Sequence, residues 1–138
     1  MGKVLGVIAG LVAMLVISIA VQMLGPIVHP VPTGMEAKEA MAAWVATATV
    51  PAHLITAAAW LLGALGGGWL ALRISSWAAA AWIVAVLDVA MALAQTLRAD
   101  YPVWMQVAAV VAPLLGGWLA MRLAPGGAGD SIDGQAAG

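Results

Sequence analysis

The sequence predicts an all-α fold: a four-helix transmembrane bundle built from two parallel-repeat hairpins, with a short external amphipathic helix after helix one. Three observations predict it. First, apolar residues fill 64% of the 138 positions and charged residues only 8%, with a mean hydropathy of +1.06. A soluble domain carries about 25% charged residues, so there is too little charge here to cover a water-facing surface. Second, four apolar segments are each long enough to cross a hydrocarbon core of about 30 Å, which takes roughly 20 helical residues. Third, Gly67-Gly68-Trp69-Leu70-Ala71-Leu72-Arg73-Ile74 returns as Gly116-Gly117-Trp118-Leu119-Ala120-Met121-Arg122-Leu123, and each copy closes one of those segments.

Helix one is expected at about 4–24, where no residue is charged and only Lys3 precedes the run. A cleaved signal peptide is the rival reading, because Ser18-Ile19-Ala20 resembles a small-x-small cleavage site. The single basic residue and the length of the apolar run favour a retained helix. Pro26, Pro30 and Pro32 then predict that the helix stops and an extended loop follows. Thr33-Gly34-Met35-Glu36 has the spacing of a capping box, with the Thr hydroxyl on the Glu36 amide and the Glu carboxylate reaching back. It opens the external helix, expected at about 34–49. Met41, Trp44, Val45 and Ala48 form its inward side, and Glu36 and Glu39 face water.

Helix two is expected at about 51–72, with Pro51 in the first turn, where its missing N–H is not needed. Ala59, Gly63 and Gly67 recur every fourth residue, a ridge of small side chains that lets a neighbouring backbone approach. Arg73, Ser75 and Ser76 make a tight turn. Helix three is expected at about 77–97 and holds Asp88 near its middle. Arg98-Ala99-Asp100 forms the next turn. Helix four is expected at about 102–121, with Pro102 at its start; Pro113 should kink it and free the carbonyl of Ala109. Residues 125–138 are rich in Gly and Ala and are expected to form a flexible cytoplasmic tail after a single membrane domain at 1–124.

Sidedness follows from Lys and Arg at helix ends. With the N-terminus in the cytoplasm, Lys3, Arg73 and Arg122 lie inside, and Lys38 and Arg98 outside. Both repeated arginines then sit at inner helix C-termini, where the helix dipole also favours a cation. Helices two and four run in the same direction, so the repeat is parallel, with its axis along the membrane normal.

The absence of cysteine removes thiol nucleophiles, disulfide relays, iron–sulfur ligation and the commonest zinc sites. A net charge of −1 gives no basic surface for nucleic acid. The glycine run Gly66-Gly67-Gly68 lies within a membrane helix, which argues against a phosphate loop. No catalytic triad, paired carboxylates or zinc-protease helix is present, so neither an enzyme nor a cofactor is expected.

Asp88 is the sharpest single residue. A mid-membrane acid costs a few kcal/mol to insert, normally faces protein or a cavity, and marks function by default. Ala81, Val84, Ala85, Met91, Ala92 and Gln95 share its helix face. It is expected to act as a proton relay or cation-binding group, or else to sit neutral in a hydrogen bond to a neighbouring helix. Ser18, Gln22, His53, Thr56, Gln95, Thr96 and Gln106 all lie in the outer halves of their helices. Together they predict a polar pocket open to the outside with Asp88 at its floor; polar residues near an interface are also simply cheap. His29 and His53 could ligate haem or a metal, but their spacing matches no ligand motif, and no metal is assigned. Trp69, Trp77 and Trp118 mark the inner interface and Trp44 and Trp104 the outer, while Trp60 and Trp82 lie deeper.

Taken together, Val21-Gln22-Met23-Leu24-Gly25-Pro26, Pro30-Val31-Pro32-Thr33-Gly34, Trp60-Leu61-Leu62-Gly63-Ala64 with Gly67-Gly68, and Pro102-Val103-Trp104 carry a resemblance. The chain resembles a family of small bacterial inner-membrane proteins with four predicted spans and no established function. Members often have Glu in place of Gln22 and His in place of Pro26, and Asp88 lies outside the shared pattern. The resemblance implies a multi-pass protein of the bacterial inner membrane with both termini cytoplasmic, and no activity. Small multidrug transporters and fluoride channels are of similar size. The helix-one acid of the former is missing here, and so is the polar lining of the latter.

Two function classes follow. The first is a non-enzymatic structural or accessory protein in the lipid bilayer. It would associate with itself, or with a partner membrane protein, through helix-packing faces at Gly63, Gly67, Gly116 and Gly117. The second is a small homo-oligomeric transporter or channel using Asp88 and the outer polar cluster, and a pocket for a lipophilic ligand is a weaker third. The small-residue ridges exceed what one bundle needs, which favours a homo-oligomer.

Overall fold

A computed structural model describes residues 1–124 as six helices: α1 (Gly2–Gln22), α2 (Gly25–Val28), α3 (Ala37–Thr47), α4 (Val50–Ser75), α5 (Ala78–Arg98) and α6 (Val103–Leu123). There is no strand among these residues. Four helical stretches, Gly2–Val28, Val50–Ser75, Ala78–Arg98 and Val103–Leu123, are long and apolar enough to cross a membrane. The tail expected at 125–138 lies outside the described residues.

Helix α4 is the hub, packing along α1 and α6 and touching α5 and α2. Glycine makes these contacts close. A Cβ on Gly10 would meet Ala71 Cβ at 2.7 Å, and one on Gly6 would meet Ser75 Cβ at 2.6 Å. On the α4 side, a Cβ on Gly67 would meet Met14 Cβ at 2.7 Å, and one on Gly63 would meet the Met14 carbonyl at 3.0 Å. The pairing Gly6–Ser75, Gly10–Gly67 and Gly63–Met14 runs antiparallel. Gly116 lies against Ala64 and Leu65, and Gly68 against Ala120, so α4 and α6 run parallel. Gly117 faces Ala85 of α5. The ridges that suggested a surplus for self-association are therefore covered within one chain. What remains outside is aliphatic: Val4, Ile8, Val12, Val16 and Ile19 on α1, and Val103, Val107, Val111 and Leu115 on α6.

Lys3 lies 5.1 Å from the ring centre of Trp77, Arg73 5.2 Å from Trp69, and Arg122 4.9 Å from Trp118. These three cation–π pairs share one end of the bundle, and each copy of the repeated motif supplies one of them. Such a pair is worth about 0.5–1 kcal/mol where exposed. Lys38 and Arg98 border a groove at the opposite end, beside α3.

Several local expectations need correction. The chain does not become extended at Pro26. After α1 ends at Gln22, a single turn forms at Gly25–Val28 with Pro26 in its first residues, where no N–H is needed. The capping box does not form. Gly34 takes a left-handed φ of 81°, Glu36 stays extended as the N-cap of α3, and no side chain caps that helix. The helix expected at 34–49 is accordingly shorter, and it turns Ala40, Trp44 and Val45 inward while Met41 is exposed. Helix α4 runs past Leu72 to Ser75, closed by Ser76 at φ 52°. Trp77 and Pro102 are N-caps rather than first helical residues. Helix α6 continues through Pro113 to Leu123, with Pro113 buried inside the helix.

Candidate functional site

Helix α5 sets the position of Asp88. Its small residues Ala81, Ala85 and Ala92 are fully buried, so the helix lies close to its neighbours and carries Asp88 inward with them. Asp88 is 3% exposed. Its Oδ2 atom is buried and has no hydrogen-bond partner. Of the expected face, Ala81, Val84, Ala85 and Ala92 are buried, Gln95 is half-buried, and Met91 is 49% exposed.

A cavity of about 240 Å³ opens beside this carboxyl, lined by α1, α4 and α5. Its polar lining comes from Ser18, Gln22, Asp88 and Gln95, and its apolar lining includes Met14, Trp60 and Met91. At about 30 Å³ per molecule of liquid water, it has the volume of roughly eight waters. The Ser18 hydroxyl donates to the Ala59 carbonyl at 3.1 Å and so ties α1 to α4 at the wall. The Gln95 amide donates to the Tyr101 hydroxyl at 3.3 Å. Asp88 is thus the group lining the cavity that has a buried polar atom without a partner.

The polar residues expected to form one outer pocket divide into two groups. Ser18, Gln22 and Gln95 join Asp88. His53 and Thr56 do not line that cavity; they lie in the first turns of α4, under α3. The His53 ring is 5.4 Å from Tyr101, 5.8 Å from Trp104 and 6.4 Å from Trp44, centre to centre. Its Nδ1 atom is buried without a partner. The Trp44 indole N–H donates to the His29 carbonyl, and His29 Nε2 pairs with the Thr47 hydroxyl at 3.0 Å. This aromatic group closes the α3 end of the bundle. The Thr56 hydroxyl donates to the Ala52 carbonyl at 3.4 Å. Gln106 is half-buried on α6 and belongs to neither group. Thr96 bonds back to the Leu93 carbonyl.

Among the described residues, no three His, Asp or Glu side chains gather closely enough to hold a metal ion. Both histidine rings pack against Trp44, at 6.0 and 6.4 Å between ring centres.

Sequence reasoning missed Tyr101 and underused Trp60. Tyr101 is the chain's one tyrosine, buried in the turn between α5 and α6, and it joins the two groups, its hydroxyl accepting from Gln95 and its ring packing on His53. A lone Tyr between Asp100 and Pro102 was the available signal. Burial pushes its phenol above the ordinary value of 10.0, against the hydrogen bond that Gln95 donates to it. Trp60 is 2% exposed and serves as a wall of the cavity and as part of the core beneath Trp44 and Tyr101.

The geometry offers one buried carboxyl with a free oxygen in a small cavity of mixed lining. No protein-family model, curated protein or solved structure matches this chain.

Proposed function

We propose that the chain is a small multi-pass membrane protein of transport type that binds and releases a proton or small cation at Asp88. The observation that carries this reading is the Asp88 carboxyl, buried and with Oδ2 unpartnered, beside a cavity. A carboxyl at mid-helix costs a few kcal/mol to place in a membrane. A purely structural acid offsets that cost with a hydrogen bond or ion pair on a neighbouring helix. Here Oδ2 has neither, and Ser18 and Gln95 have each committed a donor elsewhere.

A structural or accessory role through the glycine faces has less support, because Gly63, Gly67, Gly116 and Gly117 all meet helices of the same chain. A second copy or a partner membrane protein would dock on the aliphatic belts instead. The proposed setting is the bacterial inner membrane, with Lys3, Arg73 and Arg122 on the cytoplasmic side and α3 outside. The cation–π pairs at one end of the bundle support that sidedness, and the parallel packing of α4 on α6 supports two related hairpins.

The test is proton flux into vesicles holding the purified full chain, read by an enclosed pH-sensitive dye under an imposed membrane potential. Wild-type protein is expected to conduct, and Asp88→Asn to conduct at least tenfold less. Equal flux from wild type, Asp88→Asn and empty vesicles would sink the reading.

A further inference from the structure

We infer that the Asp88 cavity takes a small organic ammonium ion with an apolar body, admitted sideways from the bilayer between α1 and α5. This deepens the transport reading and rests on it. The Asp88 side chain lines the cavity, and its buried Oδ2 has no partner. The cavity's buried walls are Met14 and Trp60, at 1% and 2% exposure. Its outward-reaching lining is Leu15 and Ile19 of α1 and Met91 of α5, all exposed. Those residues belong to the aliphatic belts: Val12 and Val16 flank the first two, and Leu87 lies one turn from Met91. The mouth therefore opens where acyl chains would lie, while Gln22 and Gln95 line the side toward the α3 end.

Three features select the ligand class. A single carboxyl calls for one positive charge with N–H donors. A metal ion such as sodium binds through a full shell of oxygens, and the cavity offers only Asp88, Ser18, Gln22 and Gln95 among thioether, indole and aliphatic groups. Methionine is adaptable and polarisable, and sulfur and indole both favour an aromatic or alkyl body. Finally, the volume limits size, since a space equal to about eight waters admits a molecule the size of a phenylalkyl amine and excludes bulky polycyclic cations.

The probe is 2-phenylethylamine, titrated calorimetrically into the full chain in lipid nanodiscs, with 2-phenylethanol as the neutral counterpart of the same size. The amine is expected to bind at least tenfold more tightly than the alcohol. Asp88→Asn should remove that preference, and Val107→Ala, on the far face of α6, should leave it unchanged. Equal binding of amine and alcohol would overturn the inference, as would displacement of the amine by an equal concentration of sodium. If the amine fails to bind while Asp88-dependent proton flux persists, the ligand class is wrong and the transport reading stands. If both fail, both fall.

Discussion

Asp88 and His53 are both buried, and each leaves one polar atom without a partner, yet their surroundings differ. The imidazole is packed against the rings of Trp44, Tyr101 and Trp104. The carboxyl borders open space. One orphaned atom is walled in by aromatic surface that repays its burial. The other belongs to a side chain that lines room for a ligand and gains nothing from the protein alone. The difference separates a polar residue that helps build the bundle from one that the bundle carries at a cost.

The largest effect is expected where the two regions share a wall. Trp60 lines the cavity and also supports the aromatic end. Truncating a buried Trp typically costs about 3–5 kcal/mol. Trp60→Ala should therefore lower thermal stability in detergent strongly and weaken ligand binding with it. If stability falls but binding is untouched, the wall is not shared.

Gly67→Val is expected to follow. Its side chain would drive into Met14 and the Gly10 backbone, and overpacking of this kind costs about 1–3 kcal/mol. The damage should fall on the cavity and spare the aromatic end, since Met14 is a cavity wall and no residue of the His53 group touches Gly67. Gly2→Ala, with nothing within 4 Å, is the matched control. Equal melting temperatures for both variants would refute the close α1–α4 contact.

The comparison itself is tested by replacing each group with leucine. Removing a buried polar group that has no partner can recover about 1–3 kcal/mol of desolvation. Asp88→Leu should therefore raise the melting temperature while abolishing amine binding. His53→Leu should lower it, because each aromatic pair it loses is worth about 0.5–1.5 kcal/mol. Shifts of the same sign would break the distinction between the two sites.

The membrane class, the four apolar helices and the inward face of Asp88 were legible because they depend on local composition and helical period. The glycine ridges were legible as packing surfaces, but their partners were not. That Gly67 meets α1 while Gly116 meets α4 depends on how the helices cross, which spacing along one helix does not encode. The split of the polar residues was hidden for the same reason. Ser18 and His53 both lie in the halves of their helices toward the α3 end, yet α3 brings Trp44 over His53 and not over Ser18. The capping box failed for a local cause: Gly34 turned left-handed and drew Met35 and Glu36 out of the helix.

The smallest effect is expected at Tyr101, which joins the two regions and lies in the turn outside the spans. Tyr101→Phe removes the acceptor for the Gln95 amide and should cost about 1 kcal/mol. The pH dependence carries a sign. Burial raises the folded phenol above its ordinary value of 10.0, so the unfolded chain releases this proton first as pH increases. Above about pH 10 the folded state binds more protons than the unfolded one, and stability falls with pH until the folded group also ionises. The contribution is fully present below pH 10. Melting curves of wild type and Tyr101→Phe should therefore differ by a constant amount up to pH 10 and converge above it. A gap that stays constant through pH 11 would show that the hydroxyl is solvated rather than buried against Gln95, and the link between the carboxyl cavity and the aromatic end would be lost.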